Sequence, residues 1–416
     1  MMALFAIFKR PYIGALLMAS IGFLNPQTLA WGFARGKPYA AVAVLVTVLV
    51  MVFNRDKLRF TMNNTFIYIY IFLFWGGICT LAAFFPEDAV KELSRFAKIQ
   101  LSIFLTILLI TNKDKLMALV WTITMSLAFW GIKGGIFSLL TGGSYRVWGA
   151  RGSFIGGNNE IGLAMLMTVP LLYYLFINST QVWVKRFLAS SILLCIVAII
   201  FTYSRGAFLG LIAISVFLWW KSDKKLVLGA LASVLIIASI PFIPDAVFDR
   251  FNTIENYEED ASALGRINAW TTALNLANDR ITGGGYRHTS ALTTQLYSPH
   301  PEKIHDAHSI YFEVIGETGW IGFMLFFLIH FSNWRVANKI IKNYKNSTEH
   351  KWAVDLAKMI QVSLIGYYSG GAFLGLAYWD LPYYLMVVLL LLSVILKEQE
   401  NKQTKAKRKP SELVIG

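Results

Sequence analysis

Apolar residues fall along this chain in blocks of bilayer length joined by short polar connections. They show neither the two-residue alternation of strands nor the one-sided stripe of a soluble surface helix. Windows of about twenty residues predict spans near residues 11–25, 38–53, 66–85, 96–111, 116–140, 160–177, 187–204, 206–220, 225–243, 308–331, 355–376 and 379–397. The expected fold is an all-α polytopic integral membrane protein with about 12 transmembrane helices. Only Ser204, Arg205 and Gly206 separate the seventh and eighth. The one long polar stretch, residues 244–307, exceeds a passive connector. It begins in the Pro-rich IPFIPDAVFDRF, predicts a helix around GRINAWTTALNLAND, and breaks at Gly283, Gly284 and Gly285. The chain thus divides into nine spans over 1–243, a large loop with short helices over 244–307, three spans over 308–397 and a basic tail over 398–416. No internal repeat is visible.

Composition agrees: 56% of the 416 residues are hydrophobic and 15% charged. Lys9 and Arg10 followed by PYIGALLMASIGFLN resemble a signal peptide, but no A-x-A site follows, so this segment reads as an uncleaved first span. Thirteen Trp, eighteen Tyr and thirty Phe suit interfacial belts and helix packing. Cys79 and Cys195 both lie inside apolar blocks, which excludes a disulfide framework and a thiolate metal site.

A net charge of +14 suggests nucleic acid only until the charges are placed. Lys and Arg sit in short loops on alternate sides of the spans, and the C-terminal KQTKAKRK suits anionic membrane lipids, so no nucleic-acid partner is expected. With both termini inside, residues 54–59, 112–115, Lys185 with Arg186, Lys221 with Lys224 and Lys225, the Arg335–Lys351 stretch and the tail all fall on the positive side. The other side receives 25–37, PEDAVKE (86–92), 141–159, Arg205, 244–307 and Ala377–Asp380. It therefore receives all the candidate chemistry.

Arg205, in YSRGAFLG, stands at the outer end of a span; cationic anchors favour the inner side, so a functional role competes with a snorkelling one. Arg287 follows three glycines whose bare backbone suits close approach to phosphate oxygens, although GGG alone is also a flexible loop. His308 marks a loop-to-helix junction two residues after Asp306, the place for either a boundary residue or a base titrating near working pH. His300, His305 and His308 also invite a zinc reading, weakened by the lack of a Cys or carboxylate at familiar ligand spacing. In SYRVWGARGSFIGGNNEIG, Arg146, Arg151, Asn158, Asn159 and Glu160 precede a helix. The asparagines serve there as N-caps, as contacts to sugar hydroxyls and phosphate, or as both. The acidic NYEED, with Glu255, Glu258, Glu259 and Asp260, reads as a solvated face rather than a glycosidase pair.

Four segments, RGSFIGGNN (151–159), YSRGAFLGL (203–211), the GR…W and GGGYR elements (265–287) and AHSIYFEVIGETGWIGF (307–323), together resemble the O-antigen ligase and polymerase superfamily. The stretch RPYIGALLMASIGFLNPQTLAWGFARGKPYA (10–40) looks like the branch of O-glycosylation ligases associated with exosortase systems. Ser309 stands where members often carry Asn. The resemblance implies glycan transfer from an undecaprenyl-diphosphate carrier to a hydroxyl of a glycan, lipid A-core or protein acceptor. It places this at the periplasmic face of the bacterial inner membrane, without metal or other cofactor. It makes 244–307 a periplasmic loop, His308 the essential histidine, and Arg205 and Arg287 the diphosphate-binding arginines. Arg266, Arg151, Asn158, Asn159, Tyr286, His305 and Glu317 are expected to support the site or contact glycan. A polymerase of carrier-linked repeats shares this chemistry. A transporter of lipid-linked glycan is the competing class, for which site charges near mid-bilayer and paired halves are expected.

Overall fold

The computed structural model describes residues 2–54, 58–221 and 261–412, and among these no strand occurs. The predicted span 225–243 and the NYEED stretch lie outside the described residues. The helices are α1 (Met2–Lys9), α2 (Tyr12–Leu24), α3 (Pro26–Leu29), α4 (Tyr39–Phe53), α5 (Asn64–Leu81), α6 (Pro86–Leu109), α7 (Lys113–Leu140), α8 (Asn158–Asn178), α9 (Val182–Ile200) and α10 (Arg205–Lys221). They continue as α11 (Ala261–Asp279), α12 (Ala291–Tyr297), α13 (Ile310–Tyr344), α14 (Lys351–Gly370) and α15 (Asp380–Glu412). Six of the described helices, α5, α7, α8, α9, α13 and α15, are long and apolar enough to cross a membrane, while α2, α4 and α10 are shorter apolar helices.

The predicted spans 96–111 and 355–376 are helical within α6 and α14, which fall outside that set. The physical reason in α6 is its outer turns: Glu87, Asp88, Lys91, Glu92, Arg95 and Lys98 precede the apolar half. Pro86 opens it where a missing N–H costs nothing, and Glu87 with Asp88 suit the positive helix end. The span predicted over 355–376 breaks instead at Gly370, where a 3-10 turn over Gly371–Phe373 follows.

The bundle centre is α15, whose residues from Leu381 to Leu392 are all buried, as expected of a helix apolar on every side. Around it α8 packs on α9 and α14, α7 on α2 and α9, and α5 antiparallel to α13. Near one end of that last pair the Trp75 indole N–H donates to the Thr318 carbonyl at 2.8 Å; towards the other, Thr65 and Ser332 hydroxyls meet at 3.0 Å.

The connections gather at two ends. At one, Arg59 pairs with Glu398 at 2.5 Å, Lys113 lies over Trp352 at 4.4 Å, and Lys115 over Tyr12 at 5.4 Å. These are the basic connections predicted to share a side. At the other end lie the 141–157 loop, the start of α6, α11, α12, the 280–290 turn and the start of α13.

Candidate active site

Two glycine-bearing segments, far apart in sequence, build the frame. Gly283 at φ 61° and Gly285 at φ 79° adopt left-handed backbone, and α13 kinks where Gly319 takes φ 66°, ψ −173°, a conformation open to glycine. The Gly284 N–H donates to the Gly316 carbonyl at 2.8 Å and the Gly285 N–H to that of Glu317 at 3.0 Å. A β-carbon on Gly283 would stand 2.6 Å from the Gly316 carbonyl oxygen, and one on Gly319 would collide with the Ile281 carbonyl. GGGYR and ETGWIG are two halves of one contact.

That contact presents Arg287. Its backbone is left-handed at φ 55°, and its N–H donates to Glu317 Oε1 at 2.8 Å. Glu317 itself is buried at 8% exposure, whereas the Arg287 side chain is 61% exposed and ion-paired with Glu92 of α6. One carboxylate fixes the backbone and another holds the guanidinium. On the far side of the turn the Arg280 guanidinium donates to the Ala82 carbonyl and sits over Phe84 at 4.2 Å, tying the 280–285 turn to the end of α5.

His308 stands two residues before α13, ahead of its N-cap Ser309, exposed, with its backbone at φ 41°. Trp270 of α11 braces both flanks: its indole N–H donates to the Ala307 carbonyl at 2.7 Å, and its ring stacks on Phe312 at 4.8 Å. The same ring lies 6.4 Å from Phe373, whose Cβ is close to Gly206, the residue after Arg205. The 371–373 turn therefore bridges the Arg205 and His308 segments. Glu313, on the first turn of α13, accepts the Ala377 N–H at 2.9 Å, joining the start of α13 to the segment before α15.

The turn ahead of Arg205 is itself clamped. Asn158 is not an N-cap: Gly157 holds that position without a side-chain bond, and the Asn158 amide donates to the Thr202 carbonyl at 3.0 Å. The Val147 N–H donates to the Phe201 carbonyl at 3.0 Å, and Tyr203, at φ 53°, donates its hydroxyl to the Gly143 carbonyl at 2.5 Å. Asn159 is half-buried on the same first turn of α8, and Arg151 is exposed on the loop before it.

Tyr286 faces inward at 1% exposure, its ring 5.1 Å from Tyr378 and its hydroxyl against Gly76, so here its contribution is packing. Arg266 is half-buried on α11. His305 is exposed, its ring over Gly265, and borders a narrow recess with Asn268, Thr272, His288, Thr293 and Lys303. His300 pairs with Glu302 at 3.8 Å, and among the described residues no three His, Cys, Asp or Glu side chains are grouped to hold a metal ion. Burial pushes the His288 imidazole down to about 4, against the attraction of Asp306, so it is neutral near pH 7.

Glu92, Arg95, Trp270 and Arg280 are site-forming residues that sequence reasoning left unassigned. The i,i+3 spacing of Glu92 and Arg95, just ahead of the predicted span 96–111, was the available signal for the first two.

Among the described residues, four non-glycine residues have left-handed backbone: Asn25, Tyr203, Arg287 and His308. Two are candidate site residues and a third is two residues from Arg205. Such backbone costs free energy and persists where surroundings enforce it, commonly at functional sites.

Fold and site together define a multi-pass α-helical membrane protein carrying a polar cap of arginines, carboxylates and histidine at one end of its bundle. Residues 190–327 match the family described as O-antigen ligase, a region that holds Arg205, Arg266, Tyr286, Arg287, His305, His308 and Glu317, and this match supports the resemblance to the O-antigen ligase and polymerase superfamily. The match supports a glycan-transfer function of the ligase or polymerase type. Residues 1–180 match a family of unknown function, and no curated protein matches the chain.

Proposed function

We propose that this protein transfers a glycan from an undecaprenyl-diphosphate carrier to an acceptor hydroxyl at the periplasmic face of the bacterial inner membrane. The observation that supports this reading is that the segments bearing Arg287, His308 and Arg205 are tied to one another's neighbours at the same end of the bundle, within the O-antigen ligase match. The basic connections occupy the opposite end, and positive connections favour the cytoplasm, so the cap faces outward. A transporter would carry its site charges near mid-bundle.

In the reaction the guanidinium forks of Arg205 and Arg287 hold the diphosphate and stabilise the charge that grows on it as it leaves. His308 accepts the proton of the acceptor hydroxyl while that oxygen attacks the anomeric carbon. The carbon–oxygen bond to the diphosphate breaks on the opposite face, giving inversion and free undecaprenyl diphosphate. The exposed imidazole is accessible to an incoming acceptor. Ligase and polymerase differ in the acceptor alone.

Purified protein given a labelled carrier-linked glycan, with lipid A-core, a Ser/Thr-containing protein or a second carrier-linked glycan as acceptor, tests this. The expected result is label on an acceptor oxygen with release of undecaprenyl diphosphate. A ladder of repeats selects the polymerase, a single addition the ligase. Movement of the intact donor across vesicle membranes without a covalent product contradicts the proposal.

A further inference from the structure

Glu92 lies on the second turn of α6 and is 15% exposed, and its Oε1 serves two arginines: Arg287, and Arg95 at 3.6 Å. Arg95 in turn lies over the Phe154 ring at 3.6 Å, with 40% of its side chain exposed. Phe154 belongs to RGSFIGGNN, so this stack draws that segment against the Arg287 turn. Lys91, a turn away, pairs with Asp88 at 2.8 Å, and both feel the charge of Arg287.

We infer that Arg95 is a further diphosphate-binding residue of the transfer site, paired with Arg287 across Glu92. This rests on the transfer reading above. An exposed i,i+3 pair alone would mean little. Here the carboxylate is largely enclosed, one guanidinium lies over an aromatic face, and the other comes from a turn whose backbone is fixed by Glu317. A guanidinium has five N–H donors; Glu92 Oε1 pairs with the Arg287 fork, and the nearest Arg95 nitrogen stands 3.6 Å from the same oxygen. The remaining donors of two adjacent forks suit an anion with two phosphoryl groups, with Glu92 holding the forks together before the donor arrives.

The test measures binding of undecaprenyl diphosphate, and separately of inorganic pyrophosphate, to the full-length protein in lipid nanodiscs. Arg95→Gln is expected to weaken both by about 10- to 100-fold, the range for a charge-assisted hydrogen bond. Arg95→Lys, which keeps charge but not the fork, is expected to fall between and serves if the Gln variant folds poorly. Wild-type affinity in Arg95→Gln with weakened binding in Arg287→Gln overturns the inference and leaves the transfer reading standing. Weakened binding of the lipid alone also overturns it, placing Arg95 at the membrane surface. If the wild-type protein binds neither diphosphate, the transfer reading falls and this inference with it.

Discussion

Arg287 and His308 are held in opposite ways, and their proposed roles differ accordingly. Arg287 is bonded at backbone and side chain by Glu317 and Glu92, as suits a group that must present a fixed fork. His308 is braced through its flanking residues by Trp270 while its imidazole stays exposed to receive a hydroxyl. A geometric role predicts sensitivity to shape at constant charge. Arg287→Lys and Arg205→Lys, assayed for transfer with labelled donor, should each lose tenfold or more (about 1.4 kcal/mol per decade), whereas a membrane anchor accepts Lys with little change. At this scale the sequence revealed residue types suited to phosphate and proton chemistry. It did not reveal partners, because Glu92 meets Arg287 only after the chain folds back. Nor did it reveal direction: Tyr286 adjoins Arg287, yet its ring points into the bundle beside Tyr378.

The elements that position these residues meet through glycine. The 283–285 turn and the α13 kink interleave so closely that neither conformation is available without the other. Gly319→Ala should therefore cost about 1–3 kcal/mol from backbone strain alone, more from the collision with Ile281. It should lower the thermal midpoint and weaken diphosphate binding together, because the same contact carries Arg287. An unchanged midpoint would show that the kink is not required. The glycines are visible in the sequence, and GGG suits a backbone that approaches an anion. Their mutual packing was not visible, since hydropathy reports burial and is blind to φ. The same blindness hid the kink inside a long apolar run, while the helix over Ala261–Asp279 was legible from its polar–apolar pattern and the glycine break after it.

At the scale of the molecule, the separation of polar connections into two ends was legible from charge, because Lys and Arg recur on alternate sides of the apolar blocks. Span boundaries were less so, since α6 and α14 carry polar turns that a window of apolar residues trims or overruns. The orientation follows as a prediction. Cysteines introduced at Asn275 and Lys345 should be labelled from opposite sides of the membrane, Asn275 from outside; labelling from the same side would dissolve the shared cap. The central claim, that this cap performs base-assisted glycan transfer, is tested most directly by His308→Ala. General base catalysis is worth about 10²- to 10⁴-fold. The variant should therefore fold, bind the carrier-linked donor with near wild-type affinity, and transfer glycan at least about a hundredfold more slowly. A folded, donor-binding His308→Ala protein that transfers at the wild-type rate would contradict the account.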